Sequence, residues 1–160
     1  RGGERGLCGV RENRAGKLVS LVYGRLVSLA VDPIEKKPFF HFHPGSGALS
    51  LATVGCNFAC LHCQNHEISQ LPRRMPRRAI PGEIVPPAAV VETAQRARAA
   101  VIAYTYSEPT VFFEYALDTA RLAAAAGLYN VFVTNGYLTA EAVDATETGK
   151  TDGELRVNGL

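Results

Sequence analysis

No stretch of this 160-residue sequence approaches the ~20 consecutive apolar residues that a membrane-spanning helix needs. The first residues carry no signal-peptide pattern. Charge of one sign is not in excess: 17 Lys and Arg against 15 Asp and Glu leave a formal net charge of +2, too little to argue for a nucleic-acid partner. Methionine is nearly missing. Met75 is the only one and the chain starts at Arg1, so the sequence reads as a fragment or as a gene product cut at its front. Cysteine is scarce as well. Three of the four cysteines crowd one loop and Cys8 stands apart, which makes a poor disulfide framework.

In bulk the chain is ordinary. A hydrophobic fraction of 47% and a charged fraction of 20% suit a soluble globular protein long enough for one core and one domain. Arg73, Arg74, Arg77 and Arg78 form a local basic run. Pro72, Pro76 and Pro81 flank or interrupt it and no aromatic residue interleaves, so it reads as a solvated loop rather than a phosphate-binding patch.

The unusual stretch is Cys56-Asn57-Phe58-Ala59-Cys60-Leu61-His62-Cys63-Gln64-Asn65, with the spacing C-x3-C-x2-C. Three thiolates this close hold three irons of a cubane cluster and leave the fourth iron without a protein ligand. Electron-transfer clusters have four protein ligands, so none of their irons is open. An open iron is a place for a substrate or cofactor, as the open position is in a catalytic zinc site. The competing reading is a structural zinc on Cys56, Cys60, Cys63 and His66, although that spacing is not a usual finger or knuckle. Reduced thiols in an oxygen-sensitive cluster need a reducing compartment, so the cytoplasm is the expected location. Cys8 reads as a buried or idle thiol.

Taken in order, residues 1–46 read as a β-rich extension, 47–146 as the core, and 147–160 as an atypical polar tail. Two β-branched and leucine-rich runs flank Tyr23-Gly24-Arg25 and predict a hairpin over Lys17 to Ala30, turning at Gly24. Phe39 to His43 predicts a strand with His41 and His43 on one face and Phe40 and Phe42 on the other. Ala48 to Val54 predicts the first core strand. The cysteine loop leaves its C-terminal end, the end that carries chemistry in parallel α/β folds. Residues 66–87 read as one long proline-rich loop. Helices are predicted over Pro87 to Ala100, Thr110 to Ala126 (stopped by Gly127) and Leu138 to Thr146, with buried strands at Val101 to Tyr104 and Val131 to Val133. This alternation predicts an α/β fold of parallel βα units with right-handed crossovers. About three units are present, and the tail, with Gly149, Gly153 and Gly159, breaks the pattern.

The three-cysteine spacing resembles the signature of the radical S-adenosylmethionine (radical SAM) superfamily, with His62 where an aromatic residue usually stands. The runs RGLCGVREN from Arg5, DPIEKKPFFHFHPGS, ATVGCNFACLHCQNHEISQ and AYTYSEPTVFFEYALDTA are similar to the AmmeMemoRadiSam-system enzymes. Those in turn resemble the pyruvate formate-lyase activating enzymes. The likeness spans residues 1 to 146. It implies a partial (β/α) barrel of the radical SAM type. It implies that Cys56, Cys60 and Cys63 ligate a [4Fe-4S] cluster whose open iron takes the amine and carboxylate of S-adenosyl-L-methionine (SAM). Reductive cleavage would then yield a 5′-deoxyadenosyl radical for hydrogen abstraction, the cofactor doing the hard step.

The same resemblance implies cofactor-binding roles for four residues. His62 would pack on adenine. Glu108, at the acid of the superfamily's GGEP motif, would hold the methionine ammonium. Thr134 and Asn135 would bond the ribose or carboxylate of SAM. Phe58 and Leu61 would dry the cluster. The implied partners are an electron donor such as a flavodoxin or ferredoxin, and a protein or small-molecule substrate, a glycyl-radical protein among them. Blander readings stand beside these. Glu108 before Pro109 is also a favourable helix start, Thr134-Asn135-Gly136 is also a plain turn, and Tyr104 and Tyr106 read as core residues rather than radical relays. The whole chain also reads as a non-enzymatic zinc or iron–sulfur module, or an inactive fragment.

Overall fold

The computed structural model describes residues 2–75, 79–147 and 155–159. Strands β1 (Arg11–Arg14) and β2 (Lys17–Ser20) form a small antiparallel hairpin. Its turn is made by Ala15 and Gly16, at φ 51° and 83°. The hairpin predicted over Lys17 to Ala30 therefore forms eight residues' worth of chain earlier in part, and its second half goes elsewhere: β3 (Arg25–Leu26) and β4 (Ser28–Pro33) join other sheets. Gly24 does take a positive φ of 70°. Val22 and Leu26 explain the difference, because both are drawn into the main core, and β3 pairs with Glu83–Ile84 rather than with β2.

Strand β5 (Gly47–Ala52) follows, then the cysteine loop, two single-turn helices α1 (His66–Ser69) and α2 (Leu71–Arg74), and β6 (Glu83–Ile84), which pairs with β3. The connection expected to be featureless over 66–87 is thus partly structured. Pro76, Arg77 and Arg78 of the basic run lie outside the described residues. The remaining elements are α3 (Pro87–Arg96), β7 (Val101–Tyr104), α4 (Phe113–Ala125, entered through a 3-10 turn at Pro109–Phe112), β8 (Tyr129–Thr134), α5 (Ala140–Glu147) and β9 (Leu155–Gly159).

One five-stranded sheet runs β4-β5-β7-β8-β9, with β4 antiparallel to β5 and the other neighbours parallel. It is open: the described strands do not close into a barrel. The fold is mixed α/β. The tail was expected to break the pattern, yet Leu155–Gly159 pairs parallel with β8 and supplies a fourth parallel strand. An open strand edge offers unpaired N–H and C=O groups to any extended segment, apolar or not.

The two faces of this sheet differ, as alternate residues of a strand must. On the outer face Leu49, Leu51, Ile102, Tyr104 and Phe132 pack with Val90 and Ala94 of α3 and Tyr115, Ala116 and Ala123 of α4. On the inner face Ala48, Val101, Ala103 and Val131 pack with Ile34, Phe39 and Phe42. The segment Phe39 to His43 is a run of turns and not the predicted strand. His43 sits at φ 48° with its ring 4.2 Å from that of Tyr129, and Phe40 is exposed. Burying Phe39 and Phe42 over the end of the sheet outweighs the β propensity of the run. No helix among the described residues is long and apolar enough to cross a membrane.

Candidate functional site

The cysteine loop leaves the C-terminal end of β5 at Gly55, whose φ of 104° only glycine takes at ease. A Cβ there would come within 2.8 Å of Val10, so glycine also lets the N-terminal segment close up behind the loop. The α1–α2 pair braces the loop from its other side. Gly55 N donates to Ile68 O at 3.1 Å, and Gln70 Nε2 donates to Phe58 O at 2.7 Å. Arg73 corrects its reading as a solvated residue. Its Nε donates to Leu7 O at 2.9 Å and its Nη2 to Cys56 O at 3.1 Å, fastening the N-terminal segment to the loop.

Cys56, Cys60 and Cys63 all line one cavity of ≈ 410 Å³, together with the segment Thr105 to Glu108 beyond β7 and Thr134 and Asn135 at the end of β8. All four cysteines are free, and Cys8 is buried away from the cavity wall. Phe58 N donates to Cys56 Sγ at 3.4 Å, and Cys63 Sγ lies 3.4 Å from Ser69 Oγ. Burial pushes the Cys56 thiol up, and the Glu108 carboxylate nearby adds to the shift. The donor set suits an iron–sulfur cluster: three soft thiols line one space of the size that takes a drug-sized ligand. It does not suit the Cys3His zinc alternative. His66 Nδ1 lies 3.3 Å from Cys63 O, and His66 is not on the cavity wall.

Glu108 is 3% exposed and joins the ends of two strands. Its Oε1 accepts from Thr134 Oγ1 at 2.6 Å and from Thr110 N at 3.1 Å, and its Oε2 accepts from Asn135 N at 2.8 Å. The Thr110 bond makes it the cap of the 3-10 turn, so the helix-start reading holds as far as it goes. It does not account for the other two bonds or for the cavity. A carboxylate offers about four lone-pair sites, and three donors leave acceptor capacity toward the cavity. Asn135 Nδ2 in turn donates to Asn57 Oδ1 at 2.8 Å, tying β8 to the cysteine loop. Thr134 and Asn135 are thus more than a plain turn, and they bind the scaffold as well as face the cavity.

His62 lies exposed on the rim, and Phe58 lines the cavity with its ring 5.8 Å from that of Tyr137. Leu61 does not dry anything: it is fully exposed. Tyr104 is a core residue, bonded to Asn130 at 3.0 Å. Tyr106 is not: it lines the cavity at φ 66°. Asn57, Gln70, Arg73 and Tyr106 escaped sequence reasoning. Only Asn57 had a local signal, its place inside the motif.

A family model described as the Radical SAM superfamily matches residues 50–150. An uncharacterized protein of Methanocaldococcus jannaschii is 46% identical over 156 residues, covering 98% of this chain and 46% of that relative. The chain therefore spans about half the length of the curated relative it matches. No solved structure matches it. With the family match running from β5 across the cysteine loop and both strand ends that face it, the chain belongs to the radical SAM superfamily, whose members use a [4Fe-4S] cluster and S-adenosylmethionine.

Proposed function

We propose that this chain is the cofactor-binding part of a radical SAM enzyme, with Cys56, Cys60 and Cys63 holding the [4Fe-4S] cluster. The observation that carries this is the shared cavity: three cysteines and the buried carboxylate of Glu108 line one space at the C-terminal end of parallel strands. When bound, the cluster and SAM supply reductive cleavage of SAM and hydrogen abstraction from a substrate. The protein's own part is placement. Glu108 faces the ammonium of SAM with its remaining acceptor capacity, a charge-assisted contact. Thr134 and Asn135 hold Glu108 and bond the ribose or carboxylate, and His62 packs on adenine at the rim. Phe58 lines one side of the cavity.

The open sheet with its small-residue inner face is the arc of a partial (β/α) barrel in this reading. The finer assignment is an activase that makes a glycyl radical on a partner protein, fed by a flavodoxin or ferredoxin in the cytoplasm. It rests on the motif resemblance.

Anaerobic reconstitution with iron and sulfide tests the assignment. The chain should take up about four irons and change its visible spectrum on adding SAM. Cys56→Ala, Cys60→Ala and Cys63→Ala should each lose the cluster, and Cys8→Ala should keep it. Stoichiometric zinc without iron uptake, or cluster loss in Cys8→Ala, overturns the assignment. Reductant-dependent formation of 5′-deoxyadenosine separates an enzyme from a passive cluster module.

A further inference from the structure

A second group of charged side chains lies on the inner face of the sheet, apart from the cysteines. Asp32 stands on β4, Lys37 follows the 3-10 turn Ile34–Lys36, and Tyr106 is two residues beyond β7. Lys37 is 2% exposed and Asp32 8%. Lys37 Nζ donates to Asp32 Oδ2 at 2.9 Å and to Tyr106 Oη at 3.2 Å, and it lies 4.2 Å from the centroid of the Tyr106 ring. The Tyr106 hydroxyl donates to the same Asp32 oxygen. Lys36 Nζ takes the other oxygen at 2.7 Å. Burying an ion pair is weak evidence of added stability, since desolvation offsets the attraction. Stability alone is therefore a poor account of the set.

The backbone at Tyr106 adds an independent observation. Ser107 N donates to Thr105 O at 2.8 Å across Tyr106, whose φ is 66°. That is the rare three-residue γ-turn with a positive central φ, a strained form, and a bulky residue there is an outlier. Such strain persists only where the surroundings over-determine it, and it gathers at ligand sites. The two residues after the turn are Ser107 and Glu108, both on the cavity wall. Ser107 is 6% exposed, and its Oγ has no hydrogen-bond partner among the described residues.

We propose that Asp32, Lys37 and Tyr106 form a latch that positions the Ser107–Glu108 segment for the polar methionine end of SAM. The phenol, gripped by the carboxylate and the ammonium, holds the γ-turn closed, and the closed turn fixes the Glu108 carboxylate at the cavity wall. Asp32, Lys37 and Tyr106 are positioning residues, acting through the turn and not on SAM. The inference rests on the reading that this cavity takes SAM.

A double-mutant cycle on the anaerobically reconstituted chain tests it, with Tyr106→Phe, Asp32→Asn and the pair. SAM affinity, iron content and melting temperature are read on each. Each single variant should bind SAM about tenfold more weakly, the scale of one lost hydrogen bond, with iron content unchanged. The pair should lose no more than either single, because both break the same latch. If Asp32→Asn does not fold, Lys37→Gln takes its place in the cycle. Lowered melting temperatures with unchanged SAM affinity overturn the latch, and so do additive losses. A parent chain that takes up the cluster but binds no SAM overturns the functional reading and the latch with it. A parent that binds SAM as well as its variants do overturns the latch alone.

Discussion

The two faces of the five-stranded sheet are built from alternate residues of the same strands, yet they do different work. The outer face carries large apolar side chains, Leu49, Leu51, Ile102 and Phe132, against α3 and α4. The inner face carries smaller side chains, Ala48, Ser50, Val101, Ala103 and Val131, with Asp32 beside them, and it leads up to the cavity that Glu108 and the cysteines share. A side chain on the outer face is held by the area it buries, roughly 25 cal/mol per Å². A polar group near the cavity is held by specific partners, and each partner is a separate condition. The outer layer therefore contributes most of the burial of large apolar side chains, and the inner layer carries the polar partners nearest the cavity.

The largest effect should come from the outer face. Phe132 is 1% exposed, with its ring 5.0 Å from that of Tyr104. Phe132→Ala should cost about 3–5 kcal/mol, the range for deleting a buried phenyl ring, as read by urea unfolding. The fraction that remains folded should still take up iron. A variant that stays stable but loses the cluster would break the division between the faces.

Glu108→Gln comes next. The amide keeps one acceptor oxygen but turns an NH₂ toward donors that the carboxylate now accepts. A buried donor left unpaired costs about 1–3 kcal/mol. Loss of the charge should also weaken SAM binding about 10- to 150-fold, from the roughly 1.5–3 kcal/mol of a charge-assisted hydrogen bond. The cluster should still assemble. A melting temperature lowered with SAM affinity intact would return Glu108 to a purely structural role as cap and strand tie.

Asp32 gives the smallest effect and sharpens the comparison by pH. Burial by itself would raise its carboxyl, but hydrogen bonds from Lys36, Tyr106 and Lys37 outweigh that and hold it well below the usual carboxylate range. Its folded-state value is thus depressed below the unfolded value of about 3.9. The stability it contributes is fully present above that value and is lost as pH falls below it, by up to roughly 1.4 kcal/mol per pH unit. Asp32→Asn should be less stable near neutral pH and should show a shallower loss between about pH 4 and pH 2. The check is chemical unfolding of both proteins across that range. Parallel acid limbs would show that the latch carries no folded-state charge pairing.

Spacing along the chain was enough for the elements whose signal is local. β5, β7 and β8 were legible as apolar runs, α3 and α4 by their helical period, and the cysteine triad by its own spacing, since residues this close stay close in any fold. Strand pairing was not legible. The apolar runs pointed to a hairpin of Lys17–Ser20 with the chain after Gly24, whereas Lys17–Ser20 pairs with the polar Arg11–Arg14, and Val22 and Leu26 are buried in the main core. The role of Arg73 was hidden for a related reason: a guanidinium in a proline-rich run looks solvated until a carbonyl from residue 7 and one from residue 56 reach it.

The chemistry of the site divides the same way. The types of the three thiol donors and their crowding follow from ten consecutive residues. That Glu108 caps, ties β7 to β8 and faces the thiols at once follows only from bringing Thr134 and Asn135 to it, 26 and 27 positions away. The latch spans more still, with Tyr106 lying 74 positions from Asp32 and 69 from Lys37. Local sequence carries periodicity and ligand type because both depend on neighbours in the chain. Hydrogen-bond partners and buried ion pairs depend on neighbours in space, and those come into being only when the sheet places its inner face opposite the turns that cover it.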